Sequence, residues 1–295
     1  MSETIEVVET REQAGAQQRA AAAVPPSIGE WIAGRHDEGR RPAQIFNSML
    51  RNGWKRERAV QELERALPEA LHEDVRLLAR AAPEPDLAGS GGTITIDGHT
   101  VEVLCESTRP RLVVFRHLLS DDECDALVAL ARARLNPSTV GDADAATRSD
   151  VRTSSGMFLD RDETALGTAI DARIAALVDW PARCGEALQV LRYEKGQEYR
   201  PHHDYFTPPE GEWAPVIGRG GNRVATLLIY LTTPERGGAT SFPDIPFEVR
   251  AIKGNAVFFT YPSPDAGSRT EHAGAPVIEG EKWVAVKWLR QNTFV

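Results

Sequence analysis

The sequence of 295 residues is poor in several features that would place a protein in a special class. No apolar run approaches the roughly 20 residues that a membrane-spanning helix needs, so no membrane partner is expected. Only three cysteines are present, Cys105, Cys124 and Cys184, without the CxxC spacing of a zinc ribbon or the density of a disulfide framework. Basic residues number 34 against 43 acidic ones, and the net charge of −9 argues against a general nucleic-acid binder.

The N-terminus also lacks an export signal, because MSETIEVVET is acidic where a secretory signal has a basic stretch followed by an apolar one. Together with the sparse cysteines, this predicts a cytoplasmic protein. Hydrophobic residues at 41% and charged residues at 26% are ordinary values for a globular chain. We expect residues 1–24 to be a disordered tail ahead of one small and one large domain.

Residues 25–82 have the apolar spacing of three and four that is typical of helices, which predicts a small helical accessory domain. Pro42 suits the first turn of a second helix, and Gly53 separates it from a third. The segment SMLRNGWKRERAVQEL is similar to ubiquitin-associated-like three-helix bundles, with a helical lid or a dimerisation element as the alternative. We therefore expect a partner or self-association at this domain. The Pro- and Gly-rich residues 83–92 are predicted to be a linker.

From residue 93 onward the hydrophobic pattern changes from helical spacing to alternation. Asp97-Gly98 separates two alternating runs and predicts a β-hairpin. Two helices are expected at about 121–134 and 162–178, the first of them after a capping box that begins at Ser120. The remaining β-rich runs are separated by Gly and Pro loops. Residues 93–295 are therefore predicted to form one domain, an antiparallel jelly-roll core with flanking helices, in a mainly β chain of the α+β class.

The segment YRPHHDYF holds the first candidate metal ligands, His202 and Asp204. On a strand, two residues separated by one position leave the same face, so both side chains can reach one ion while His203 points away. Two imidazoles and one carboxylate on one face of an octahedral ion leave three positions open, which is the arrangement of non-haem Fe(II) oxygenases. A second histidine is therefore needed elsewhere in the chain.

The candidate for that second histidine is His272, which lies 68 residues after Asp204. Ten residues further on, Lys282 stands within a strand pattern. A cationic side chain at that position is suited to pair with the far carboxylate of a dicarboxylate whose oxo-acid end binds the iron. The four residues together predict an iron site with room for a cosubstrate.

Five segments of the chain together resemble the prolyl 4-hydroxylase family of Fe(II)- and 2-oxoglutarate-dependent dioxygenases. In chain order they are FRHLLSDDECDALVALA, RTSSGMFL at 152–159, LQVLRYEKGQEYRPHHDYF at 188–206, NRVATLLIYLTTPERGGATSFP at 222–243, and HAGAPVIEGEKWVAVKW at 272–288. The likeness runs from about residue 110 to residue 290. Two positions depart from the pattern, since Ala275 stands where members often have Cys and Glu271 where an apolar residue is common. Neither departure removes a predicted ligand.

The resemblance implies a double-stranded β-helix and gives roles to nine residues. It implies that the iron is held by His202, Asp204 and His272, and that 2-oxoglutarate is held by Lys282, Tyr193 and Thr226. It further implies that the substrate faces Arg152 and Tyr199, and that the catalytic site includes Trp288 of a Lys-Trp pair. The implied cofactors are Fe(II), 2-oxoglutarate and O2, with ascorbate as a further one.

The activity that the resemblance implies is hydroxylation of prolyl residues in a protein or peptide substrate, with release of succinate and CO2. The same chemistry on a free amino acid or another small molecule is the alternative, and a scaffold without activity is a third hypothesis. A scaffold has no need of three ligands and Lys282 together, which disfavours the third. The Gly- and Pro-rich residues 207–222 follow the metal motif and are predicted to form a lid over the substrate.

Overall fold

The computed structural model describes residues 27–80, 82–137, 153–207 and 214–295. The predicted tail, residue Arg152 and part of the predicted lid lie outside these ranges. The described helices are α1 (Ile28–Asp37), α2 (Pro42–Arg51), α3 (Arg56–Ala66), α4 (His72–Ala79), α5 (Asp121–Arg132), α6 (Ala165–Leu177) and α7 (Ala214–Gly218). None of the helices in this part of the chain is both long and apolar enough to span a bilayer.

Fifteen strands make up the β part of the described chain. They are β1 (Thr93–Ile96), β2 (His99–Thr108), β3 (Arg111–Arg116), β4 (Asn136–Pro137), β5 (Ser155–Leu159), β6 (Leu188–Tyr193), β7 (Tyr199–His202), β8 (Arg223–Tyr230), β9 (Arg236–Gly237), β10 (Thr240–Phe242), β11 (Phe247–Val249), β12 (Ala256–Thr260), β13 (His272–Gly274), β14 (Val277–Glu279) and β15 (Lys282–Arg290).

All strand pairs in the described chain are antiparallel, and they form one large and one small sheet beside a two-stranded β14-β9 ribbon. The large sheet has nine strands in the order β1-β2-β3-β12-β8-β15-β6-β5-β4. The small sheet has four, in the order β11-β10-β13-β7. The prediction of a mainly β chain with flanking helices is confirmed.

Strand β15 shows why the core lies on both sides of the large sheet. All nine of its residues are buried, so its sequence KWVAVKWLR lacks the alternation of a half-exposed strand. Residues of one parity, such as Trp283, pack in an apolar cluster with α5 and α6. Residues of the other parity, such as Val284, pack in a second cluster that includes Phe242 of the small sheet. The second cluster fills the space between the two sheets, where the functional site lies.

The local signals in residues 93–178 predicted their elements well. Strands β1 and β2 form the hairpin around Asp97-Gly98. Helix α5 begins after the Ser120–Glu123 capping box, in which each residue bonds the backbone N–H of the other. Helix α6 begins at Ala165, after Thr164 caps its first turn, and so starts a few residues later than expected.

The N-terminal region contains four α-helices where three were predicted. Helix α3 ends before Pro68, and a short 3-10 turn leads directly into α4. The four helices enclose an apolar cluster of their own. They also contact the β region, because Leu77 joins its core and Arg80 forms an ion pair of 3.0 Å with Asp179. The predicted linker is anchored near its start, since the backbone N–H of Glu84 donates to the carbonyl oxygen of Val178 at 3.0 Å.

Candidate active site

The two candidate histidine ligands lie side by side on adjacent strands of the small sheet. Strand β7 ends at His202, strand β13 begins at His272, and the two residues are directly paired. Directly paired residues of antiparallel strands place their side chains on the same face. The two ring centres consequently lie 4.2 Å apart.

Asp204 completes the group, although not by the strand geometry that was predicted. Strand β7 ends at His202, so Asp204 lies in a bend two residues beyond it. The bend directs one carboxylate oxygen to 3.6 Å from the Nε2 of His202 and the other to 3.5 Å from the Nε2 of His272. One atom from each residue lies within 4.8 Å of the others. His203 is outside the group, as expected, and its ring meets Tyr205 edge to face.

Backbone carbonyls fix the orientation of both imidazoles. The Nδ1 atoms of His202 and His272 lie 2.9 Å from the carbonyl of Arg200 and 3.0 Å from that of Thr270. A carbonyl only accepts hydrogen bonds, so each Nδ1 carries a proton, and the neutral form of each ring has its lone pair on Nε2. Donors held in this way suit a metal ion.

The electrostatics of the site keep His272 and Asp204 in the protonation states that metal binding needs. Burial and the neighbouring His202 lower the pKa of His272 to about 4, in spite of the Asp204 carboxylate, so the ring is neutral at pH 7. Burial by itself raises the pKa of Asp204. The imidazoles of His272 and His202 and the guanidinium of Arg223 outweigh that effect, so the net shift of this pKa is downward. The carboxyl is therefore ionised.

Two neutral imidazoles and one carboxylate are the donor set of non-haem Fe(II) oxygenases, so the residues present fit this ion. Among the described residues, this is the single group of three or more His, Cys, Asp or Glu side chains with that geometry. The donors line a pocket between the two sheets. Its walls include Leu191, Tyr193, Tyr199, Thr226, Leu228, Thr240, Gly274, Lys282, Val284, Val286 and Trp288.

Lys282 is the cation of this pocket. Its side chain is only 3% exposed, and no carboxylate of the described chain lies within 4.0 Å of its Nζ. Burial lowers its pKa to about 8, and no charged neighbour contributes. Tyr193 pairs with it across β6 and β15, with the Nζ 5.5 Å from the centre of the tyrosine ring. A buried ammonium without a protein counter-ion is suited to an anionic ligand.

Comparison with known proteins agrees with this site. The family model of the 2OG-Fe(II) oxygenase superfamily matches residues 188–290, which hold the three donors and Lys282. Prolyl 4-hydroxylase 1 of Arabidopsis thaliana is 45% identical over 205 residues, which are 63% of this chain and 71% of that protein. This chain belongs to the prolyl 4-hydroxylase family. Membership implies Fe(II), 2-oxoglutarate and O2 as cofactors.

Two further prolyl 4-hydroxylases are similar to this chain. Prolyl 4-hydroxylase 2 of Arabidopsis thaliana is 38% identical over 213 residues, 64% of this chain and 70% of that protein. Among solved structures, the 2OG complex of the viral collagen prolyl hydroxylase from Paramecium Bursaria Chlorella virus-1 is 29% identical. The match covers 61% of this chain and 95% of that one, with a TM-score of 0.48.

The other residues that were predicted from the resemblance to prolyl 4-hydroxylases occupy different places. Tyr199 stacks on His202, with ring centres 3.6 Å apart. Trp288 and Thr226 are direct neighbours across β15 and β8, and both line the pocket. The indole N–H of Trp288 is buried and makes no hydrogen bond within the described chain. Their roles toward cosubstrate and substrate stay predictions, and so does that of Arg152, which lies outside the described residues.

The sequence did not indicate the residues that support the metal ligands of this family member. Arg223 donates to the carbonyl oxygen of Asp204 at 3.2 Å, and its guanidinium carbon lies 3.8 Å from the centre of the Trp288 ring. It also forms an ion pair of 2.6 Å with the buried Glu186. The phenol oxygen of Tyr261 lies 2.6 Å from the hydroxyl of Thr226. An arginine at a strand start is usually solvated, so no local pattern pointed to these contacts.

Proposed function

We propose that this protein hydroxylates prolyl residues of a protein or peptide substrate, with 2-oxoglutarate and O2 consumed and succinate and CO2 released. One observation carries the proposal: two imidazoles and a carboxylate converge in a pocket that also holds a buried lysine, and no described residue offers that lysine a carboxylate. A dicarboxylate that chelates a metal at one end and has a free carboxylate at the other matches both features.

We assign the polar residues of the pocket to binding of the metal and cosubstrate, and its apolar residues to exclusion of water. His202, Asp204 and His272 would hold Fe(II), which when bound supplies the activation of O2 that an unactivated C–H bond requires. Lys282 would bind the distal carboxylate of 2-oxoglutarate. The side chains of Leu228 and Val284 line the pocket and keep water away from the charged groups.

The substrate class follows from family membership, because the named relatives are prolyl 4-hydroxylases. The test uses the purified protein with Fe(II), 2-oxoglutarate and three substrates: a proline-containing peptide, the same peptide with alanine for each proline, and free proline. We expect one succinate per oxygen atom gained by the proline peptide, measured by mass spectrometry, and no gain by the alanine peptide. Oxidation of free proline alone would support the small-molecule alternative and overturn the proposal.

The finer architecture is part of the same proposal. We infer that the large and small sheets are the two halves of a double-stranded β-helix, because they are antiparallel and enclose an apolar cluster beside the pocket that the candidate metal donors line. Ascorbate as a further cofactor remains a proposal of the family resemblance. Its test is whether turnover over many cycles declines when ascorbate is left out and recovers when it is added.

The accessory role of residues 25–82 and a cytoplasmic location are also proposed. The helices have their own apolar cluster, which supports a separate unit that recruits a partner or self-associates. A concentration series of the full chain in analytical ultracentrifugation tests self-association. All three cysteines are free, which suits a reducing compartment. Fractionation of the source cells tests the location, and recovery outside the cytoplasm would overturn it.

A further inference from the structure

Asp204 is connected to a chain of two buried hydroxyl groups. The hydroxyl of Thr226, on β8, lies 2.6 Å from the Oδ2 of Asp204. The same hydroxyl lies 2.6 Å from the phenol oxygen of Tyr261, which directly follows β12. Tyr261 is 1% exposed and Thr226 is equally buried. Both contacts are short, and neither is open to competition from bulk water.

The direction of both hydrogen bonds follows from the donors that are present. An ionised carboxylate only accepts hydrogen bonds, so Thr226 must donate its single hydroxyl proton to Asp204. Thr226 then has only lone pairs left for Tyr261, and the phenol must donate to it. The chain therefore runs from Tyr261 through Thr226 to Asp204. Hydrogen bonds in such a chain polarise and strengthen one another.

We propose that Tyr261 and Thr226 are positioning residues that hold the carboxylate of Asp204 in the orientation that binds the metal. The carboxylate cannot turn about its Cβ–Cγ bond without losing the hydrogen bond at Oδ2. The two imidazoles are already fixed by backbone carbonyls. The two hydrogen bonds from Tyr261 to Thr226 and from Thr226 to Asp204, which we call the relay, fix the third donor of the set. The hydroxyl proton of Thr226 is then committed to Asp204 and is not available to the cosubstrate. This inference rests on the metal site of the proposed function.

A comparable tyrosine–threonine pair, which does not reach Asp204, connects the large sheet to the small one. Tyr230, also on β8, is fully buried, and its hydroxyl donates to the hydroxyl of Thr240 at 2.8 Å. Removal of either phenol oxygen therefore deletes one buried bond between a tyrosine and a threonine, and for Tyr230 also a longer contact of 3.5 Å with the carbonyl oxygen of Val249. The decisive difference is that only Thr226 bonds a candidate metal ligand.

The experiment measures binding of Mn²⁺ to the metal-free protein without 2-oxoglutarate, with free Mn²⁺ followed by electron paramagnetic resonance. Loss of a group that orients a metal ligand typically weakens affinity by about 10–100-fold, and we expect Thr226→Val in this range. Tyr261→Phe is expected to weaken Mn²⁺ binding by only about 3–10-fold. This variant keeps the bond from Thr226 to Asp204 and removes only the strengthening that Tyr261 gives to it. Thr226→Ser and Tyr230→Phe are expected to bind as the parent protein does.

Melting temperatures of the variants separate positioning from general loss of stability. We expect Tyr261→Phe and Tyr230→Phe to lower the melting temperature similarly while only the former weakens Mn²⁺ binding. Equal Mn²⁺ affinities for Tyr261→Phe and Tyr230→Phe would overturn the relay. This comparison decides the question even if Thr226→Val does not fold. Failure of the parent protein to bind Mn²⁺ would instead overturn the metal site itself.

Discussion

Strand β15 carries two buried lysines on opposite faces, and the two differ in whether a carboxylate lies beside them. Lys287 points toward α6 and forms an ion pair of 2.7 Å with Asp171 of that helix. Lys282 points into the pocket between the sheets and meets no carboxylate of the described chain. Both side chains are at most 3% exposed. Burial lowers the pKa of both, but only Lys287 has a carboxylate that opposes the change.

The contrast separates a structural charge from a binding charge. A buried ammonium is costly unless it is paired, and the helix face supplies its partner from the chain itself. On the pocket face the described chain supplies no carboxylate, so an anion that bound there would relieve the unfavourable burial of Lys282. The pocket face of the large sheet therefore carries the candidate binding residue, and the helix face carries a lysine that is paired within the fold.

The largest expected effect comes from the metal donors at the pocket. Replacing His202, Asp204 or His272 by Ala should abolish 2-oxoglutarate turnover, because each removes one of the three protein ligands. Succinate release and bound metal are the measurements. His203→Ala is the control and should retain metal, since its ring lies outside the group. Loss of metal in His203→Ala alone would show that the ligand set is wrong.

On the helix face, Lys287→Met should destabilise the fold without affecting the pocket. It leaves Asp171 buried and unpaired, and breaking a buried ion pair in this way costs about 3–5 kcal/mol. Denaturant unfolding measures the loss, while the KM for 2-oxoglutarate should stay at the parent value. The double variant with Asp171→Leu should recover most of the stability. A change of KM in Lys287→Met would contradict the separation of the two faces.

On the pocket face, Lys282→Met should have the opposite pattern. Loss of a charge-assisted contact worth about 1.5–3 kcal/mol should raise the KM for 2-oxoglutarate by roughly 10–150-fold. The melting temperature of the free protein should not fall, because an unpaired buried charge has been removed. Metal affinity is measured alongside and should be unchanged. Equal KM values for variant and parent would remove Lys282 from the cosubstrate site.

The most gradual effect, spread over more than two pH units, is a dependence of stability on pH that belongs to Lys282. Its pKa is about 8 in the folded protein, below its ordinary value of about 10.5, so the unfolded chain binds more protons between these values. The stability that Lys282 contributes should therefore rise from pH 8 to pH 10.5, by at most about 1.4 kcal/mol per pH unit. The measurement is the difference in unfolding free energy between the parent and Lys282→Met. A difference independent of pH would contradict the lowered pKa.

Much of this architecture could be predicted from the sequence because its signals are local. Alternation and turn residues indicated the hairpin at Asp97-Gly98, and the Ser120–Glu123 capping box indicated the start of α5. The three candidate metal donors were predicted from an HxD spacing and a family resemblance, and the structure brings them together. The assumed reason was partly wrong, since Asp204 reaches the site through a bend and not along a strand.

The supporting contacts could not be predicted in the same way. Tyr261 meets Thr226 from 35 positions away, and Glu186 meets Arg223 from 37. Contacts of this kind depend on which strands become neighbours, and no period within a segment reports that. The two lysines of β15 show the same limit, because only the fold reveals which of them faces Asp171.

The direct pairing of His202 with His272 has a consequence for the lifetime of the protein. The two residues lie 70 positions apart in the chain, so an ion held by both would crosslink the ends of a long loop. Whatever binds only the folded state stabilises it by mass action. The metal-loaded protein should therefore resist proteolysis better than the metal-free one. In a cell that runs short of iron, loss of activity would be followed by loss of the protein itself.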